Sequence, residues 1–472
     1  MTKMDIVPGA TIAGIEEERQ PSRYLLNDEA TLAQVARDAI VMAGRISGGR
    51  AVAFAHENGG IQIRTAGGEV VSAERQGGQM LTVTIVDGLR RGTASTGIFT
   101  AAAIRAAVEH AAFITTQVEP DPDGALPEDA ELAHDAPDVA LFAPSGLDAA
   151  GLTAIAHGIE TAANDKISGQ SETARVLETG TSSNAERWAR AIGADFCRTG
   201  SATMQGHWAQ VIASRDGRMA TAGWSSVDRR MEAMLTPDEI GRTAVTNAVR
   251  KLGGYGLETQ DAPVLFDSTQ AASLVGELVN ALSGRPQYQK SSFLAGALGQ
   301  SALAAHLDLQ EDPTEAFGMA SGAFDDEGIA GSRRAVVSAG IVQGYFLSTH
   351  SARKLGMAST GNARGAWNLA LTSRLTSADD DLSAMLRHMG RGLWVTELLG
   401  GSVDLVTGNY SRAVSGFWVD GGVVVHPAED ITIGGNLKDM LQAITHVGSD
   451  IYRSGPIRTG SVLIEKMRIA GR

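Results

Sequence analysis

"AVAFAHENGGIQIRTAGGEVVSAERQGGQMLTVTIVDGLRRGTAST", residues 51–96, is the stretch on which the fold turns. Its runs AVAFAHE, GIQIRTA, EVVSAER, QMLTVTIVDG and RRGTAST alternate apolar and polar residues, the period of a half-buried strand. Between them stand NGG, GG, QGG and DG, which read as hairpin punctuation. The stretch predicts an antiparallel meander. Before it, residues 30–45 have the 3.6-residue periodicity of a helix, and a second helix is predicted over about 100–117. Helices on both sides of a meander give an α+β unit whose helices cover one sheet face.

Further along, "EPDPDGALPED" (119–129) is rich in proline and reads as a linker or wrapping loop. A second unit is predicted from a helix near 146–164 and strands around 194–213 and 217–227, joined by SRDGR. "TPDEIGRTAVTNAVRKLGG" (236–254) begins a helix by rule: Thr236 as N-cap, Pro237 at the first position and Glu239 completing a capping box, with Gly253 and Gly254 at its end. From about residue 260 the chain is rich in glycine and short strands, the composition of a curled sheet or barrel. The expected fold is α+β. N-terminal helix-covered antiparallel sheet units are followed by a Gly-rich, mainly antiparallel, barrel-like C-terminal domain. Boundaries fall at 1–118, 119–255 and 256–472, with the option that the first two form one domain.

Composition removes several functions. The 40 basic and 54 acidic residues leave a net charge of −14, which argues against a nucleic-acid partner held by phosphate neutralisation. A single cysteine, Cys197 in a strand-like run, excludes an internal disulfide and any cysteine-cluster metal site, and reads as an inert thiol. "MTKMDIVPGATIAG" lacks the apolar core of a signal peptide, and the Ala-rich stretch 101–113 is cut by Arg105, Glu109 and His110. No membrane partner and a cytoplasmic location are expected.

Local motifs are sparse. There is neither a phosphate-binding G-x-x-x-x-G-K-[ST] nor a strand-linked G-x-G-x-x-G. His56 and Glu57 begin HENGGI, read as a hairpin-end surface histidine rather than a ligand; Asp325, Asp326 and Glu327 form an acidic turn read as solvated rather than metal-binding. GTSSN (180–184) and QKSSF (289–293) offer serines without a nucleophile elbow. Two stretches are more particular. "STGNARGAWNL" (359–369) carries Asn362 and Arg364, and "NYSRAVSGFWVDGG" (409–422), which carries Arg412, leads on to Asn436. Two readings stand side by side: exposed Asn and Arg that grip a peptide backbone or a partner, or turn-forming asparagines and a surface charge.

The stretch "YSRAVSGFWVDGGVVVHPAEDITIGGNLKDMLQAI" (410–444) resembles the C-terminal signature of the TldD/PmbA proteins, in particular the PmbA (TldE) branch. "SSFLAGALGQ", "FDDEGIAGSRRAVVSAGIVQGYFLS", "SARKLGMASTGNARG" and "GSVLIEKMRIAGR" carry the same resemblance, and so do the meander and the proline-rich loop. It implies a metallopeptidase of two related chains that trims leader peptides or degrades unfolded ones. The TldD-type chain is expected to hold zinc through H-E-x-x-x-H and a cysteine; the PmbA-type chain lacks those ligands.

The helix "SLVGELVNALSGR" (273–285) stands where that segment would fall, with Val275, Gly276 and Asn280 in place of His, Glu and His. Leu274, Val275, Leu278, Val279 and Leu282 form its apolar stripe, and Gly284 is expected to stop it. No histidine lies between His207 and His306, and no cysteine follows Cys197. The expectation is therefore a non-zinc-binding subunit with no catalytic residue or cofactor of its own, zinc residing in a TldD-type partner. A stand-alone peptide- or protein-binding module is the alternative from a different class. A third is a peptide-modifying enzyme with an unrecognised site.

Overall fold

Asn58-Gly59-Gly60 and Gln76-Gly77-Gly78 are not turns. In the computed structural model, which describes residues 24–169 and 173–471, they lie opposite one another in mid-ladder. Strand β1 (Arg50–Ala66) and strand β2 (Glu69–Asp87) are long and unbroken there. A Cβ on Gly59 would collide with the backbone of Tyr24, and one on Gly60 with Asn184, so these glycines permit close approach. The real hairpin is Gly67-Gly68, with φ 64° and 79°, and Gly88 at φ 59° turns the chain into β3 (Arg90–Thr96). The N-terminal stretch read as lacking a leader lies outside the described residues.

Helix α1 (Glu29–Ile46) precedes the meander and α2 (Ala101–Thr115) follows it. Then come α3 (Ala149–Ser168), β4 (Thr173–Ile192), β5 (Phe196–Arg215), β6 (Arg218–Asp228) and α4 (Pro237–Arg250). The six strands make one antiparallel sheet in the order β3-β2-β1-β4-β5-β6. Sequence reading assigns no strand over β4, although it is central. Its interior is polar: Thr179 bonds Thr65 Oγ1 at 2.6 Å and donates to the Ala156 carbonyl at 2.9 Å, and Thr181 bonds His207 Nδ1 at 2.8 Å. Paired hydroxyls bury without the apolar alternation that announces a strand.

Residue parity sorts the two faces. Ala53 and Ala55 of β1, with Ala189 and Ala191 of β4, pack under α1 and α2, while Ala209, Val211 and Ala213 of β5 pack under α3 and α4. Both helix pairs lie on one face, side by side along strands long enough to seat them. α4 starts as its sequence predicts: Thr236 Oγ1 accepts the Glu239 N–H at 3.3 Å, and Glu239 Oε2 accepts the Thr236 N–H at 2.7 Å. On β5, Cys197 is partly buried, and burial pushes its thiol pKa up.

The C-terminal half runs β7 (Gln260–Phe266), α5 (Ser268–Leu282), α6 (Gly284–Tyr288), β8 (Leu307–Asp312), β9 (Arg334–Ser338), β10 (Ile341–Val342) and α7 (Thr349–Leu355). It continues with β11 (Asn368–Ser373), α8 (Leu382–Met389), β12 (Gly392–Val403), β13 (Asn409–Asp420) and β14 (Val423–Asn436). Helix α9 (Leu437–Gln442), β15 (Ile444–Val447), β16 (Ile457–Arg458) and β17 (Val462–Ala470) complete it. Strands β14-β13-β12-β7-β17 close into a five-stranded barrel, because β17 also pairs with β14 through Ile433↔Ile469. A second sheet, β10-β9-β8-β11-β16, shares its apolar core.

α5 seals that core with Ala271, Leu274, Val275, Leu278, Ala281 and Leu282 buried. Each of its buried leucines and the valine contributes about 1.5–3 kcal/mol. Gly284 does not end the helix by turning left-handed. It opens α6, and a Cβ there would collide with Ser351 of α7, so it is a packing glycine. The proline-rich loop wraps between the halves: Arg353 donates to the carbonyls of Asp123 (3.2 Å) and Leu126 (3.3 Å), and Arg50 to that of Pro127 (2.7 Å). Among the described residues no helix is long and apolar enough to cross a membrane.

Candidate functional site

The sheet face opposite the helices carries Phe54 and His56 of β1 and Glu186, Trp188 and Arg190 of β4, the residues that alternate with the buried alanines. Phe324, Asp325, Asp326, Glu327 and Arg364 of the C-terminal half stand across from them, enclosing a cavity of about 690 Å³. His56 is therefore not a hairpin-end residue. It sits in mid-strand, stacked on Phe54 at 5.8 Å, with Nε2 donating to Glu186 Oε2 at 3.2 Å. That hydrogen bond holds Glu186 below the usual carboxylate range against burial, with help from the charges of His56, Arg229 and Arg364. Arg190 lies 4.5 Å over the Phe54 ring and donates to Asp326 Oδ1 at 2.8 Å. Trp188 meets Phe324 edge-on at 5.6 Å.

The acidic turn is not solvated either. Asp325 is buried and accepts three backbone N–H bonds, from Glu327 (2.9 Å), Ile329 (3.0 Å) and Ala363 (2.8 Å). Burial outweighs those bonds and pushes its pKa up to about 6. Glu327 Oε2 accepts the Thr349 N–H at 2.6 Å, starting α7. These carboxylates hold loops in place.

Asn362 is buried, not exposed. Its Nδ2 donates to Glu311 Oε1 (2.8 Å) and the Gly365 carbonyl (3.0 Å), and its Oδ1 accepts from Thr360 Oγ1 (2.7 Å). Trp367, also buried, donates its backbone N–H to Glu311 (2.9 Å) and its indole N–H to the Gly361 carbonyl (2.9 Å). This network holds the loop rigid and leaves Arg364 exposed at its tip, lining the cavity without a hydrogen-bond partner among the described residues.

Arg412, on β13, instead reaches α5: its Nη2 donates to Glu277 Oε1 at 3.2 Å, beside the Tyr410 ring. Burial pushes the Tyr410 phenol up to about 12. Asn436 is the N-cap of α9, with Oδ1 accepting the Lys438 N–H at 3.1 Å and Nδ2 donating to the Thr407 carbonyl at 2.8 Å. Of the four predicted residues, Arg364 lines the cavity, Arg412 lies over α5, and both asparagines are structural.

On α5, Val275 faces the core, Gly276 faces open space, Asn280 is exposed and Glu277 is committed to Arg412. Among the described residues no group of three or more His, Cys, Asp or Glu gathers as a metal set. Sequence reasoning missed Glu186 and Arg190. The signal was present in "AERWARA" (185–191), where alanines alternate with polar and aromatic residues at the strand period. The cavity offers a carboxylate–imidazole pair, aromatic walls and one guanidinium on a rigid loop. That set suits recognition of amides, amines and carboxylates rather than nucleophilic attack.

Residues 259–471 match the model of the PmbA/TldA metallopeptidase C-terminal domain. The chain is 34% identical to the metalloprotease PmbA of Escherichia coli O157:H7 over 93% of its own length and 96% of that protein's. It is 32% identical to the PmbA homologue of Haemophilus influenzae, covering 94% and 97%. The crystal structure of TldE from Thermococcus kodakarensis superposes with a TM-score of 0.77 at 17% identity, over 93% of this chain and 100% of that one.

Proposed function

The chain belongs to the PmbA/TldD metallopeptidase family, and on that premise we propose that it is the PmbA-type, non-zinc-binding subunit of a two-chain peptidase. A TldD-type chain supplies the zinc, and this chain forms part of the cleft that holds a leader peptide or an unfolded one. The observation that carries the reading is the Glu277–Arg412 pair on the outer face of α5. A hydrolytic zinc takes three protein N, S or O ligands and keeps one position open. That face is a poor fit: Val275 is in the core, Gly276 has no side chain, and the one carboxylate is neutralised. No catalytic step is assigned to this chain.

Its contribution is binding and orientation. Arg364 donates to a peptide carbonyl or carboxylate, and the ionised Glu186 accepts peptide N–H groups, against Trp188 and Phe324. The expected setting is the cytoplasm, where Cys197 stays reduced. The test is reconstitution: each chain alone and the two together, on an unfolded peptide. Cleavage should appear only with the pair and vanish with a chelator. Cleavage by this chain alone, or by the partner alone at the rate of the pair, overturns the reading. A stand-alone peptide-binding module is the second reading, favoured by a cavity lined by both halves of this one chain.

A further inference from the structure

A second cavity, of about 740 Å³, lies between α4, the β5–β6 hairpin and the barrel. Trp224, Trp394 and Tyr452 give it aromatic walls. Its distinguishing group is Arg250, the last residue of α4. The guanidinium lies 5.1 Å over the ring of Trp394 and 5.1 Å over that of Phe417, so it is held flat and largely desolvated. Yet among the described residues it makes no hydrogen bond, and its Nε is sealed from solvent without an acceptor. Thr396, which lines the same cavity, also has its Oγ1 buried without a partner. A buried donor without an acceptor is costly, so two in one place call for an acceptor.

The remaining charges decide which acceptor. Lys251 is paired with Glu397 at 2.7 Å. Asp267 offsets Arg250 and accepts the Trp394 indole N–H at 3.2 Å. Asp450 accepts the backbone N–H (2.8 Å) and hydroxyl (3.0 Å) of Ser461, and burial raises its pKa. With two cations facing three carboxylates, an incoming carboxylate meets net repulsion, whereas a neutral carbonyl loses nothing.

We infer that this cavity binds an uncharged peptide segment, its backbone carbonyl accepting from Arg250 and an aromatic side chain lying between Trp224 and Trp394. The site goes beyond the subunit reading, since it requires neither a partner nor a metal. It gives the chain a grip on apolar stretches of an unfolded peptide, separate from the cavity at Arg364.

The test uses this chain alone, with N-acetyl-Ala-Phe-Ala-amide as probe and intrinsic tryptophan fluorescence as readout. A saturable change is expected. Arg250→Lys keeps the charge and the packed stem but loses the fork, and should weaken binding about tenfold, roughly the worth of one charge-assisted hydrogen bond. Thr396→Val keeps the shape and should weaken it about threefold; it carries the test if the arginine variant fails to fold. Arg242→Gln, on the exposed face of α4 outside both cavities, should leave this affinity unchanged; the reconstitution is read as cleavage by the pair, so its failure is distinct from failure here. Absence of a saturable change in the wild type, wild-type affinity in both folded variants, or tighter binding of the free-acid peptide each overturns the proposal.

Discussion

Glu311 and Arg334 form an ion pair at 2.7 Å in which the carboxylate is wholly buried. The other oxygen of Glu311 holds Asn362 and the Trp367 backbone. Glu311→Ala therefore strands a buried guanidinium and unlocks the Arg364 loop. Loss of about 3–5 kcal/mol is expected, read from urea denaturation, the usual cost of breaking a buried pair from one side.

Asp325 gives a pH dependence of opposite sign to that of most carboxylates. Its pKa is raised in the folded protein, from the ordinary 3.8 to about 6, so its favourable term is complete below pH about 4 and is lost as pH rises through about 6. That displacement is worth at most about 3 kcal/mol. A carboxyl-carbon NMR titration should place the Asp325 midpoint near 6; a midpoint near 4 would show that the three N–H bonds win over burial.

Thr236→Ala removes one half of the α4 capping box and leaves Glu239 without its partner hydroxyl. About 1 kcal/mol of stability should go, with Thr236→Ser nearly neutral. Equal stability of the two variants would assign the helix start to Pro237 alone.

Arg412→Leu leaves Glu277 unpaired, with its side chain 16% exposed, and should cost about 1–3 kcal/mol. Adding Glu277→Leu should recover most of that loss. A double-mutant cycle with no coupling would show that the pair does not hold β13 to α5.

Arg364→Gln should leave thermal stability unchanged within about 0.5 kcal/mol, because the side chain is exposed and unbonded. In the reconstituted pair it should slow peptide cleavage several-fold, mainly through KM. Unchanged kinetics with an intact fold would remove Arg364 from the substrate path.

Where local chemistry specifies structure, the sequence was readable. The capping box starts α4, and the 3.6-residue stripe of α5 faces the core as its spacing implies. The strands at Asn58-Gly59-Gly60 and over Thr173–Ile192 were not readable, because what fixes them is remote: the backbone of Tyr24 beside Gly59, and Thr65 and His207 beside the hydroxyls of β4. The same holds for the cavity. His56 and Glu186 are far apart in sequence and meet only through the β1–β4 register. Asn362 and Asn436 looked alike as polar turn residues; only the placement of Glu311 and Thr407 shows that both are occupied by their own loops.

The barrel seam carries a kinetic consequence. β17 lies between β7, the domain's first strand, and β14, so the ring closes only when segments some two hundred residues apart in the chain meet. Such non-local pairing is slow to find. While the chain emerges from the ribosome, β7 and β14 present open strand edges until Val462–Ala470 has been synthesised. Chains stalled before that segment should be the aggregation-prone species, and holdase chaperones should engage them rather than the finished protein.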